Sequence, residues 1–221
     1  MNTVPDSEKA LAYMAAPADG RKGPGVIVIH AFWGLTDVFK NVCDRLAAEG
    51  FVAGAPDMFD GKSTTDIDTA FQQVEQVNTE RGIEKVRAAV RELQAHPQVS
   101  GPGLGVIGFS FGGSWGFLLS RLAPQAVRAM VTFYGAGDEG PYDAASAAYQ
   151  GHFAENDRYE EEVYVRGVEA ALRAAGREVT FYTYPNTQHW FFEANRPEFD
   201  PAAAQLAWER ALAFLRQHLT S

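Results

Sequence analysis

Cysteine is almost missing from these 221 residues. Cys43 stands alone, so neither an internal disulfide nor a cysteine-built zinc cluster can form. Positive charge is also scarce. Nineteen lysines and arginines face 28 aspartates and glutamates, a formal net charge of −9. That balance argues against wrapping nucleic acid or docking on an anionic membrane, since both need a basic face. No apolar run approaches the roughly eighteen residues that span a bilayer. The opening MNTVPDSEKALAYMAAPADG carries charges and prolines where a secretory leader needs hydrocarbon. Internal repeats, low-complexity tracts and linker-like Pro, Gly or Ser runs are absent too. A soluble, cytoplasmic protein with a single domain over residues 1–221 is therefore expected.

What is present is a globular composition, 46% hydrophobic and 21% charged. A hairpin-like start is expected over Ala10–Ala15, the Pro17–Pro24 turn cluster and Val26–His30. Strands and helices then alternate. Strands are read at Val26–His30, Phe51–Ala55, Gly105–Phe109, Ala129–Phe133, Tyr149–Phe153 and Val179–Tyr184. Helices are read near Val38–Glu49, within one long segment Ile67–Ala95, and at Phe111–Leu122, Glu160–Ala175 and Pro201–Leu219. Asp37 and Asp200 are placed as caps, with Gly50 and Gly176 just past helix ends. Continuous apolar strands such as Val26-Ile27-Val28-Ile29 imply burial on both faces. The expected fold is therefore α/β, a mostly parallel doubly wound sheet of about seven or eight strands with helices on both faces.

Chemistry concentrates in Gly108-Phe109-Ser110-Phe111-Gly112-Gly113, a G-x-S-x-G pattern with a strand entering and a helix leaving. So sharp a turn strains the central residue and crowds positions two places away, where glycine removes the clash. The Ser110 hydroxyl then stands at the carboxyl end of a central strand, where open α/β sheets bind ligands. A serine needs a base. Of five histidines, His189 follows the last strand at that same face, with His30 as runner-up. An orienting carboxylate should follow the strand before it. Asp157 is the first choice and Glu155 the second, although Asp157 also lies where a cap for the next helix would lie. The chain order Ser110, Asp157, His189 is that of α/β-hydrolases. Oxyanion donors are expected from the backbone N–H groups of Phe111 and Phe32.

Competing motifs fail on context. Gly103-Leu104-Gly105-Val106-Ile107-Gly108 satisfies G-x-G-x-x-G, but its first two glycines precede the strand rather than follow it. No P-loop and no H-E-x-x-H occurs, so neither cofactor nor metal is expected. Cys43 reads as a packed thiol. Trp33, Trp190 and Tyr134 are expected to line an apolar substrate pocket. The segment Gly135 to Ser146 is too short for a lid domain, which leaves an open cleft.

These residues resemble the dienelactone hydrolase family over nearly the whole chain. The likeness runs through the opening hairpin, Gly25-Val26-Ile27-Val28-Ile29-His30-Ala31-Phe32-Trp33-Gly34-Leu35, Ala55-Pro56-Asp57, the serine turn, the Glu155–Asp157 loop and the His189 loop. It implies a cofactor-free ester or lactone hydrolase with Ser110, Asp157 and His189 as its triad. Three departures stand out. The namesakes use a cysteine where this chain has Ser110. Their glutamate after the first core strand falls at Ala31. Their substrate-binding arginine, four residues past the histidine, is Glu193 here. An acid in place of that arginine favours neutral esters or lactones over anionic ones. The alternative is a non-catalytic small-molecule binder on the same fold. Neither nucleic acid nor membrane is expected as a partner.

Overall fold

The computed structural model describes residues 10–220, so the leader reading of residues 1–9 and the ends of the one-domain expectation lie outside it. Seven strands and six helices follow in the order β1 (Tyr13–Ala15), β2 (Gly23–Ile29), α1 (Asp37–Ala48), β3 (Val52–Ala55), α2 (Ile67–Glu75), α3 (Thr79–Ala95), β4 (Val99–Phe109), α4 (Phe111–Leu122), β5 (Val127–Phe133), β6 (Ala148–Asn156), α5 (Glu162–Ala174), β7 (Val179–Gln188) and α6 (Pro201–Leu219). One sheet holds all seven strands in the order β1-β3-β2-β4-β5-β6-β7. Every neighbouring pair is parallel except β1 with β3.

The apolar strands explain the layering. Val26 to Ile29 of β2 are fully buried, as are Val106 and Ile107 of β4 and Ala129 to Val131 of β5. Helices α1 and α6 cover one face together, with the Arg45 guanidinium 4.1 Å from the Trp208 ring centre. Helices α3 and α4 cover the other, where Gly82 gives way to Trp115. Among the described residues, no helix is long and apolar enough to cross a membrane.

Four local expectations change. The opening is not a hairpin: β1 passes over β2 and pairs antiparallel with β3, Tyr13 opposite Ala55. Both edges of β2 are already taken by parallel partners β3 and β4, and β1 adds to the outer edge of β3. The long helical segment breaks at residues 76–78, because the Asn78 side chain accepts from Arg81 N–H and starts α3 anew. Strand β7 runs on to Gln188, carried through Asn186 at φ 59°. Asparagine tolerates that left-handed backbone. Asp200 caps α6 as expected, accepting from Ala202 and Ala203 N–H. The cap position of α1 falls one residue early, on Thr36.

Candidate active site

Strand β4 ends at Phe109 and α4 starts at Phe111, so the chain turns on Ser110 alone, at φ 49° and ψ −115°. Backbone approach makes the flanking glycines obligatory. A Cβ on Gly108 would strike the Gly112 carbonyl, and one on Gly112 would strike those of Ile29 and His30. Gly135, after β5, presses likewise on the Ser110 backbone, while Ser110 N–H bonds Phe133 O at 2.9 Å. The serine is thus wedged between the ends of β2 and β5, partly exposed at the carboxyl rim of the sheet.

His189 follows β7 directly and is 4% exposed. Its Nε2 lies 2.8 Å from Ser110 Oγ. Its Nδ1 lies 2.7 and 2.9 Å from the two carboxylate oxygens of Asp157. A carboxylate only accepts, so Nδ1 carries the proton and Nε2 is left to accept from the serine hydroxyl. Asp157 Oδ1 also accepts from Tyr159 and Glu160 N–H at 2.9 and 3.0 Å. The capping reading and the orienting geometry hold together on one side chain. Glu155 turns elsewhere, to Asn186 N–H at 2.8 Å.

The remaining histidines are engaged away from the serine. Buried His30 donates from Nδ1 to Ala31 O and accepts Met58 N–H at Nε2. His152 bonds Tyr184 and Gln150, and burial pushes its pKa down to about 3, so it stays neutral. Cys43 is a packed thiol, pushed up to about 12 by burial.

Phe32 and Phe111 N–H, the two expected oxyanion donors, bond no acceptor among the described residues. The Phe32 carbonyl accepts from Gln73 of α2 at 3.4 Å. The three expected pocket residues lie almost wholly beneath the surface. Trp33, Trp190 and Tyr134 are only 3%, 1% and 0% exposed. Trp33 and Trp190 pack on each other at 5.2 Å, with Arg196 stacked over both, and their indole N–H groups find no acceptor among the described residues. Tyr134 lies beneath the imidazole, 4.9 Å from it. The side chains that reach solvent around the serine are instead Phe111, Tyr159 and Phe71. Tyr159 sits 5.1 Å from His189, and Phe71, 46% exposed, sits 5.4 Å from Phe32 and 6.5 Å from Tyr159.

Glu193 also departs from expectation. It is 1% exposed, takes the Tyr134 hydroxyl at 2.9 Å, and does not project into a cleft. Burial pushes its pKa up to about 8, against the opposing effects of the Tyr134 hydrogen bond and nearby Arg196. Burial favours its neutral form, so charge repulsion by Glu193 does not carry a preference against anionic substrates. Glu160, accepting Ala136 N–H, is raised to about 7 by burial, with Asp157 beside it adding to the shift.

The model of the dienelactone hydrolase family matches residues 11–219. The chain belongs to the dienelactone hydrolase family. Among relatives, it is 34% identical to "Protein usf" of Aquifex pyrophilus, with 96% of this chain and 95% of that one aligned. It is 30% identical to the "Probable 2-oxo-3-(5-oxofuran-2-ylidene)propanoate lactonase" of Bradyrhizobium sp, covering 97% and 92% respectively. Among solved structures, a dienelactone hydrolase-like promiscuous phosphotriesterase from metagenomic libraries superposes with a TM-score of 0.81. That pair shares 23% identity over 90% of this chain and 88% of the other. The family is one of hydrolases, and the seven-stranded sheet is its α/β-hydrolase fold.

Proposed function

We propose that this family member hydrolyses small neutral carboxylic esters or lactones through an acyl-enzyme on Ser110. His189 Nε2 takes the hydroxyl proton as Oγ attacks the carbonyl carbon. The developing oxyanion is held by Phe32 and Phe111 N–H. Collapse breaks the ester C–O bond, and the leaving alkoxide takes the proton from His189. Water, deprotonated by the same imidazole, then attacks the acyl carbon and releases the acid and Ser110. Asp157 holds the tautomer and offsets the imidazolium charge.

The observation that carries this reading is the unbroken relay from Ser110 Oγ through His189 to Asp157, at 2.8 and 2.7 Å. The preference for neutral substrates rests on the aromatic surroundings, Phe111, Tyr159 and Phe71, rather than on Glu193. A fluorophosphonate probe with intact-mass and peptide analysis tests the nucleophile. One adduct on Ser110 is expected in the parent protein, with turnover of neutral p-nitrophenyl esters abolished in Ser110→Ala. Turnover surviving that substitution sinks the mechanism. A protein that neither labels nor turns over esters or lactones is the small-molecule binder instead. Comparing neutral lactones with carboxylate-bearing ones tests the charge preference, and equal kcat/KM for both overturns it.

A further inference from the structure

The hydrolytic scheme leaves unused a buried polar pair beside His189. Tyr134 and Glu193 are 0% and 1% exposed and bonded 2.9 Å apart. Burying a hydroxyl and a carboxyl costs free energy unless each satisfies the other. Phenylalanine and leucine would fill the same space without that cost.

The position of the pair is what gives it meaning. Tyr134 sits in the loop after β5, at φ 40°, a strained setting for a bulky residue. Its N–H is held by His152 O at 2.8 Å. The next residue, Gly135, bears on the Ser110 backbone, and the Thr132 hydroxyl donates to the Gly135 carbonyl. The Tyr134 ring therefore belongs to the same rigid loop that braces the serine. Glu193 belongs to the other partner's segment: four residues beyond His189, its N–H donates to Trp190 O at 2.9 Å. The Tyr134–Glu193 bond ties the serine's loop to the histidine's loop. Beneath the imidazole lies the Tyr134 ring at 4.9 Å, and the Tyr159 ring stands edge-on at 5.1 Å.

Resting on the serine-hydrolase reading, we infer that Tyr134 and Glu193 are positioning residues, whose hydrogen bond fixes the His189 ring at bonding distance from Ser110. Neither side chain touches substrate. Their effect falls on the chemical step and leaves substrate binding alone.

Steady-state kinetics on a neutral p-nitrophenyl ester, together with the rate of fluorophosphonate labelling at Ser110, test this. Tyr134→Phe removes one oxygen only and is expected to lower kcat and the labelling rate about tenfold, with KM within about twofold. Glu193→Leu should do the same, and the double variant should lose no more than either single one, as for two ends of one interaction. Glu193→Gln keeps an acceptor for the hydroxyl and should retain activity near the parent's. Far-UV circular dichroism and Tm show whether each variant is folded. The inference is overturned if Tyr134→Phe keeps both rates within twofold, if the two single losses multiply in the double variant, or if Glu193→Gln is as impaired as Glu193→Leu. Failure of the hydrolase reading itself looks different: either the parent neither labels nor turns over esters, or Ser110→Ala retains turnover.

Discussion

At the scale of the residue, Asp157 carries two duties on one oxygen pair. It caps the start of the segment leading into α5, and it receives the His189 Nδ1–H. Asparagine would keep the cap acceptor but offer an amide where the imidazole expects a carboxylate. Asp157→Asn should therefore lower kcat by about a thousandfold or more, through loss of tautomer and charge, while stability falls by no more than about 1 kcal/mol. Matched kinetics and thermal melts check this, and a loss of stability without a loss of kcat would reverse the assignment. The meeting of Ser110, Asp157 and His189 was legible from the chain because each follows a strand of the same parallel sheet, and parallel strands end on one rim. Trp33 and Trp190 were read as pocket residues because each adjoins a site residue in the chain, and with Tyr134 they prove to be buried. Lying next to a site residue does not say which way a side chain turns, and all three turn inward. Glu193 was noticed, but nothing local tells that an acid four residues past a histidine folds under it rather than out.

At the scale of the element, helix α2 brings the parts the sequence did not single out. Its Gln73 holds the Phe32 carbonyl, and its Phe71 stands over Phe32 toward Tyr159. An aromatic side chain 46% exposed contributes little to the core, so its expected contribution is to substrate. Phe71→Ala should raise KM several-fold for aryl or longer acyl esters and leave acetate esters and Tm almost unchanged. A uniform kcat loss across that panel would place Phe71 in the fold rather than in recognition. The break between α2 and α3 was hidden because Gln76-Val77-Asn78 contains neither glycine nor proline, and only the cap formed by the Asn78 side chain marks it. The pairing of β1 was hidden for a different reason. Strand order is a non-local choice.

At the scale of the whole molecule, stability should be bounded on both sides by buried titrating groups. Unfolded, Glu193 releases its proton near 4.5; folded, it holds it to about 8 because burial disfavours the anion. Between those values the native state binds more protons, so stability declines as pH rises and the contribution is lost through the folded value. Glu160 acts in the same direction up to about 7. His152 sets the acid side: its folded pKa near 3, against 6.5 unfolded, makes stability fall as pH drops through that window. Glu193→Gln cannot titrate, so its Tm relative to the parent should climb by roughly 10 °C between pH 4.5 and 8. Differential scanning at stepped pH measures that gap, and a constant offset would show that Glu193 is already ionised in the native state.

The left-handed backbone of Ser110 has a consequence for how this protein fails. Such a conformation costs about 1–3 kcal/mol and persists only while its surroundings enforce it. Here the enforcers are the rims of two strands and three glycine contacts, a vice rather than a bond. Anything that slackens the vice lets the serine relax and draws its hydroxyl away from the imidazole, long before the sheet itself gives way. On warming, the protein should fall silent while it still looks folded.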